Sequence, residues 1–91
     1  MTKQVVWSKK FKKDYDLAKK RGLDINKLKK VVDILITDKP LPEQYKDHAL
    51  SGIWIGFREC HIQPDWLLIY IVSSDRLVLT LSRTGTHSDL F

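Results

Sequence analysis

Apolar residues recur along this chain with two periods, and the change from one to the other divides it. Val5, Val6 and Trp7 predict a short first strand. Ser8 follows as a helix cap, and Phe11, Tyr15 and Ala18 then recur at helical spacing with lysines between them, until Arg21 and Gly22 end the pattern. Asp24 suits the cap of a second helix, in which Ile25, Leu28, Val32 and Leu35 form one apolar stripe. The short link between the two predicts an antiparallel helical hairpin. Asp38 to Pro42 stops the second helix, because a residue before proline is pushed toward extended backbone. Residues 40–52 then read as an ordered loop carrying Tyr45, Asp47 and His48, closed by Ser51 and Gly52.

From there the period is that of strands. The pattern predicts a strand from Ile53 to Ile62, a turn at Gln63, Pro64 and Asp65, a second strand from Trp66 to Val72, a turn at Ser73 to Asp75, and a third strand from Arg76 to Arg83. The unbroken apolar run of residues 66–72 marks a central strand covered on both faces. One parity problem stays open. Ile53, Ile55 and Phe57 look like a core face, yet Glu59 and His61 continue the same alternation, so either the strand outruns the core or a bulge near Gly56 switches faces. Residues 84–91 read as a polar tail ending in Leu90 and Phe91. The order β-α-α-β-β-β predicts an α+β fold: a two-helix hairpin on one face of a twisted, mainly antiparallel four-stranded sheet, with the other face and the sheet's ends free for chemistry.

Composition narrows the class. At 91 residues the chain is expected to be one domain, 1–91, and 43% hydrophobic with 30% charged residues is the balance of an ordinary soluble globule. A single cysteine, Cys60, rules out an intrachain disulfide and fits a reducing compartment. Residues 1–13 are polar and lysine-rich, unlike a signal peptide, and the apolar run at 66–72 is too short to span a bilayer, so the expected location is the cytoplasm, with no membrane partner. The net charge of +5 is uneven: residues 9–30 hold ten Lys/Arg against Asp14, Asp16 and Asp24, and the rest of the chain is slightly acidic. Such a block suits RNA or an acidic protein partner, although a solvated helix face accounts for charge alone.

Chemistry gathers in the second half. All three histidines lie there, each beside a group that can assist it: His48 after Asp47, His61 between Glu59 and Asp65, and His87 four residues after Arg83. Imidazole changes charge near neutral pH, so it is the usual proton carrier. Metal-free cleavage of an RNA phosphodiester needs a base for the 2′-hydroxyl, an acid for the departing 5′-oxygen, and a fixed cation for the charge on phosphorus. Histidines can be base and acid, and Arg83 can be the cation because its planar fork matches phosphate oxygens. Asp65, in the turn after His61, can orient an imidazole. Each histidine taken singly is better explained by a surface or hydrogen-bonded structural role than by catalysis; only convergence in space makes a site.

No HExxH, CxxC or other compact ligand spacing is present, so neither a metal nor another cofactor is expected. Strand alternation puts Cys60 opposite His61, as a packed thiol. Trp54, Trp66, Tyr45 and Phe91 are candidates for stacking on bases, with Trp66 better explained as packing. Phe91, at the extreme C-terminus, fits a docking anchor or a stacking platform equally.

Three segments taken together resemble a known family: 46–50 (KDHAL), 56–70 (GFRECHIQPDWLLIY) and 83–91 (RTGTHSDLF). They are similar to the YafQ-type toxins of the RelE/ParE toxin–antitoxin superfamily, over nearly the whole chain. The resemblance implies a RelE-like, microbial-ribonuclease-like sheet and a ribosome-dependent endoribonuclease that cuts mRNA in the ribosomal A site. It implies acid–base roles for His48, His61, Asp65 and His87, a phosphate-stabilising role for Arg83, and substrate contacts for Phe91, Glu59 and Arg58, Glu59 standing where some members have Asp. The implied partners are a cognate, DinJ-like antitoxin, the ribosome and mRNA, with operator DNA met only through the antitoxin complex. Two rival classes are a ParE-like protein that binds DNA gyrase without cutting RNA, and an inert basic module that only binds RNA or protein. The histidine-bearing segments favour the nuclease.

Overall fold

A computed structural model describes residues 3–91. Five strands form one sheet in the order β1-β5-β4-β3-β2: β1 is Gln4–Trp7, β2 His48–Ala49, β3 Arg58–Gln63, β4 Trp66–Val72 and β5 Val78–Gly85. β1 runs parallel to β5 and all other pairs are antiparallel. Helices α1 (Lys9–Lys20) and α2 (Ile25–Leu35) follow β1, and a one-turn helix, α3 (His87–Leu90), closes the chain.

The helices start where the caps place them. The Ser8 hydroxyl accepts from the Phe11 amide at 3.0 Å and donates to the Ser82 carbonyl at 2.7 Å, so one side chain both caps α1 and fastens it to β5. A cap of this kind is worth about 1 kcal/mol. Asp24 caps α2 through the Asn26 amide. Phe11, Ala18, Leu28, Val31 and Leu35 bury one helical face against Cys60, Ile62, Leu68, Tyr70, Leu79 and Leu81 of the sheet. Val31 is more deeply buried than the expected stripe residues Ile25 and Val32, which pack at its margin. β4 is buried from Trp66 to Tyr70, as its apolar run predicts, and the Trp66 indole N–H finds the Thr84 hydroxyl at 2.9 Å.

Four features differ from the sequence expectation. The sheet has a fifth strand, because residues 48–49 pair with Glu59 and Arg58 across a gap too short to show a period. The strand expected at 53–62 begins at Arg58; neither alternative for its parity holds, since Gly52–Trp54 is a 3-10 turn and Ile53 and Ile55 are 95% and 77% exposed. Gly52 and Gly56, with φ of +65° and +93°, bend the backbone there, which non-glycine residues resist. The third expected strand begins at Val78 and runs on to Gly85, and the last residues are no loose tail. Thr86 and Asp89 form a capping box for α3, and Leu90 is buried on the second sheet face with Leu67 and Ile69, flanked by Leu50, Trp54 and Phe57. That face is therefore partly covered, and what stays open lies beside this small second core. Among the described residues no helix is long and apolar enough to cross a membrane.

Candidate active site

Register builds the site. His48 pairs with Glu59, Glu59 with Ile69, and Ile69 with Arg83, so four side chains stand in one row across four strands, on the face away from α1 and α2. Glu59 and Arg83 are two strand spacings apart, roughly 10 Å. One step along, His61 pairs with Leu67, which pairs with Gly85, and Gly85 leads through Thr86 to His87.

Glu59 is the hub. It is buried, and its Oε1 lies 3.5 Å from Nε2 of both His48 and His61. The His61 ring centroid is 6.2 Å from that of His48 and 5.7 Å from that of His87. Other hydrogen bonds fix the outer two rings. Nδ1 of His48 is 2.6 Å from the Lys46 carbonyl oxygen, which can only accept, so Nδ1 carries the proton and Nε2 faces Glu59. Asp65 holds His87 twice: Oδ1 accepts from the His87 amide at 3.0 Å and from its Nδ1 at 2.6 Å, leaving Nε2 free.

Those two N–H groups hold the Asp65 carboxyl below the usual aspartate range. A lowered folded value means that the clamp on His87 is in place above the ordinary aspartate pKa of about 3.9 and is lost only as pH falls through the lower folded value. In a carboxyl-carbon NMR titration the Asp65 midpoint is expected below that of a free aspartate; a midpoint at or above it would mean the clamp does not form.

Arg83 is held from across the sheet edge. β1 stops at Trp7, so β5 beyond Leu81 has no partner on that side and keeps only β4 on the other, and Asp14 of α1 takes the place of β1. Asp14 accepts from Arg83 Nε at 2.7 Å, from its Nη2 at 3.1 Å, and from the Thr84 amide at 3.2 Å. The guanidinium keeps further N–H groups for another acceptor, and Asp14 drives its pKa upward. Arg83 also lines an open groove of about 340 Å³ with Lys9, Lys10, Trp54 and Phe57. The Trp54 ring meets Phe57 edge-on at 5.4 Å and Phe91 at 6.3 Å, and Phe91 stays 60% exposed while its neighbour Leu90 anchors the terminus.

The structure thus brings His48, Glu59, His61, Asp65 and His87 together, sets Arg83 at the end of their row, and puts Phe91 in an aromatic cluster beside it. Arg58 goes elsewhere. It shares a strand face with Cys60, not with Glu59, and forks onto Asp47 at 3.2 and 3.3 Å, where the Tyr70 hydroxyl also donates. Burial and the Asp47 carboxylate push the Tyr70 phenol up, so it stays a donor. Tyr45 is 7% exposed and packs in the main core, which removes it as a stacking platform, and Trp66 is buried as expected. Cys60 is buried among apolar side chains that push its thiol up, as expected of a packed cysteine. Sequence reasoning missed Asp14 and Phe57. Asp14 had a signal: it follows Phe11 by three and precedes Ala18 by four, the inward spacing of α1. Glu59, His61 and His87 also offer ligand atoms within 4.8 Å of one another, a donor set that fits a transition metal.

Fold and site define a small α+β protein with clustered imidazoles and carboxylates beside a cationic, aromatic groove. The family model for YafQ, the bacterial toxin of a type II toxin–antitoxin system, matches residues 3–91. The chain is 48% identical over 90 residues to the mRNA interferase toxin YafQ of Escherichia coli K12, covering 98% of this chain and 96% of that one. It superposes on the crystal structure of the E. coli DinJ-YafQ toxin–antitoxin complex with a TM-score of 0.90 at 44% identity, over 100% of this chain and 99% of that one. It superposes on a metal-bound toxin from Helicobacter pylori with a TM-score of 0.91 at 46% identity, over the whole of both chains. The chain belongs to the YafQ family of bacterial type II toxins.

Proposed function

We propose that this toxin is an mRNA endoribonuclease acting in the ribosomal A site, with His48, His61 and His87 as its proton carriers and Arg83 as its fixed cation. The observation that carries this reading is the convergence of three imidazoles around Glu59 and Asp65, in register with a forked guanidinium. One imidazole takes the proton of a ribose 2′-hydroxyl as that oxygen bonds to phosphorus. Another gives a proton to the 5′-oxygen as the P–O bond breaks, which yields a 2′,3′-cyclic phosphate and a free 5′-hydroxyl. Arg83 neutralises charge on the non-bridging oxygens. Phe91, with Trp54, offers a base a stacking face. Glu59 orients the His48 and His61 rings and Asp65 the His87 ring.

This chemistry uses free imidazole nitrogens. A transition metal held by Glu59, His61 and His87 would occupy them, so the reading makes cleavage independent of such an ion. The partner we propose is an antitoxin of the DinJ type, since the E. coli relative is found in complex with DinJ, and the basic block at 9–30 suits an acidic segment of it. Operator DNA is reached through that complex, and the site of action is the cytoplasm. The test is induction of the toxin alone. Translation is expected to stop, with transcripts cut at ribosome-occupied codons, and purified toxin is expected to cut ribosome-bound mRNA after treatment with a chelator selective for transition metals. DNA damage preceding any loss of translation would favour gyrase binding, and cleavage abolished by the chelator would overturn the metal-free mechanism.

A further inference from the structure

We infer that Arg21, at the end of α1, is a positioning residue for the reaction, holding His87 in place through Asp89. The inference rests on the proposed role of His87 in proton transfer.

His87 opens a helix of one turn, and four residues cannot hold a helix by their own hydrogen bonds. Its geometry must be imposed from outside. Asp65 supplies one support. Leu90, buried against Leu67 and Ile69, supplies a second, and a third comes through Asp89: its Oδ2 accepts from the Thr86 amide at 2.9 Å while its own amide donates to the Thr86 hydroxyl at 3.2 Å, so Asp89 sets the backbone entering His87. Asp89 is in turn gripped by Arg21, whose Nη1 donates to Oδ2 at 2.6 Å and Nη2 to Oδ1 at 3.3 Å. The carboxylate also presses on Gly85, where an added Cβ would lie 2.9 Å from Oδ2. Arg21 thus joins the rigid, core-packed α1 to the one-turn helix, fixing it against the end of β5.

Arg21 caps α1, which places its side chain just past the packed helical face. It belongs to the basic block but is engaged in a fork, unlike a cation free for RNA. The pair lies at the surface, with both side chains partly exposed, so it does little for global stability; its effect is local. Two roles are therefore separable. A positioning residue, when lost, lowers the maximal rate and leaves binding alone, whereas a cation that touches RNA, when lost, weakens binding and leaves the maximal rate alone.

The experiment is single-turnover cleavage of mRNA on programmed ribosomes with intact toxin, measuring maximal rate and half-saturating concentration. Arg21→Ala is expected to lower the maximal rate roughly tenfold, with half-saturation unchanged. Arg21→Lys should recover part of the loss, and Arg21→Ala combined with Asp89→Asn should be no slower than the slower single variant. A raised half-saturating concentration at wild-type maximal rate, or wild-type values throughout, overturns the inference. Should Arg21→Ala fail to fold by circular dichroism, Asp89→Asn, which keeps the capping oxygen, carries the same test. His87→Ala is run alongside. If it cleaves normally, the proton-transfer reading has failed, and amide exchange at residues 86–90 decides the tether by itself: faster exchange in Arg21→Ala supports it and unchanged exchange overturns it.

Discussion

His87→Ala is expected to lower cleavage of ribosome-bound mRNA by about a thousandfold at saturation, the middle of the range for loss of a general acid or base. The fold should survive. The His87 side chain is 54% exposed and belongs to neither apolar core. The backbone bonds that shape its surroundings persist in the variant: its amide to Asp65, and its carbonyl to the Phe91 amide at 2.9 Å. Leu90 stays anchored. A surface change of this type moves stability by about 0.5 kcal/mol or less. The check is a rate measurement beside a thermal melt and an antitoxin pull-down. A folded variant that cuts at the wild-type rate would remove His87 from the chemistry.

The second large effect is expected at Arg83. Arg83→Ala should slow the maximal rate by about a hundredfold to a thousandfold, the cost of losing one aimed charge at a developing oxyanion, or ~3–4 kcal/mol. Arg83→Lys should recover only part of it, because a lysine cannot fork onto Asp14 and present a second N–H edge to phosphate. Some stability is also lost, on the order of 1 kcal/mol, since Asp14 is only 12% exposed and would keep the Thr84 amide alone as partner. The two effects separate in one set of assays: cleavage rate at saturation, and melting temperature. If Asp14→Asn reproduces the melting shift of Arg83→Ala while retaining most of the rate, Arg83's charge acts on substrate as well as on its partner.

These effects depend on contacts that differ in how openly the chain announces them. The helices are legible because Phe11, Ala18, Leu28 and Leu35 keep a 3.6-residue spacing behind the capping residues Ser8 and Asp24. β4 is legible because its apolar run is long and bounded by turns. The stretch before β3 misleads because Ile53, Ile55 and Phe57 alternate like a strand, and only the positive-φ glycines, Gly52 before it and Gly56 within it, turn that alternation into a bend. β2 is two residues long and exists through its partner, so no local pattern marks it. The site follows the same division. The residue types are plain in the sequence, and the family resemblance groups them, but the meeting of His48 and His61 at Glu59 is a matter of strand register. Arg58 illustrates the limit: it stands next to Glu59 in sequence, and pleating sends it to the opposite face and to Asp47. Asp14 and Arg21 lie within a lysine-rich block whose charge hides two specific pairings with the far end of the chain.

The central claim is that these side chains move the protons of one ribose-phosphate linkage. A programmed ribosome carrying mRNA with a single 2′-deoxy substitution at the scissile nucleotide tests it most directly. The substitution is expected to abolish cleavage there without weakening toxin binding, while the unsubstituted message yields 2′,3′-cyclic phosphate and 5′-hydroxyl ends. Cleavage of the deoxy message at an undiminished rate would contradict the account.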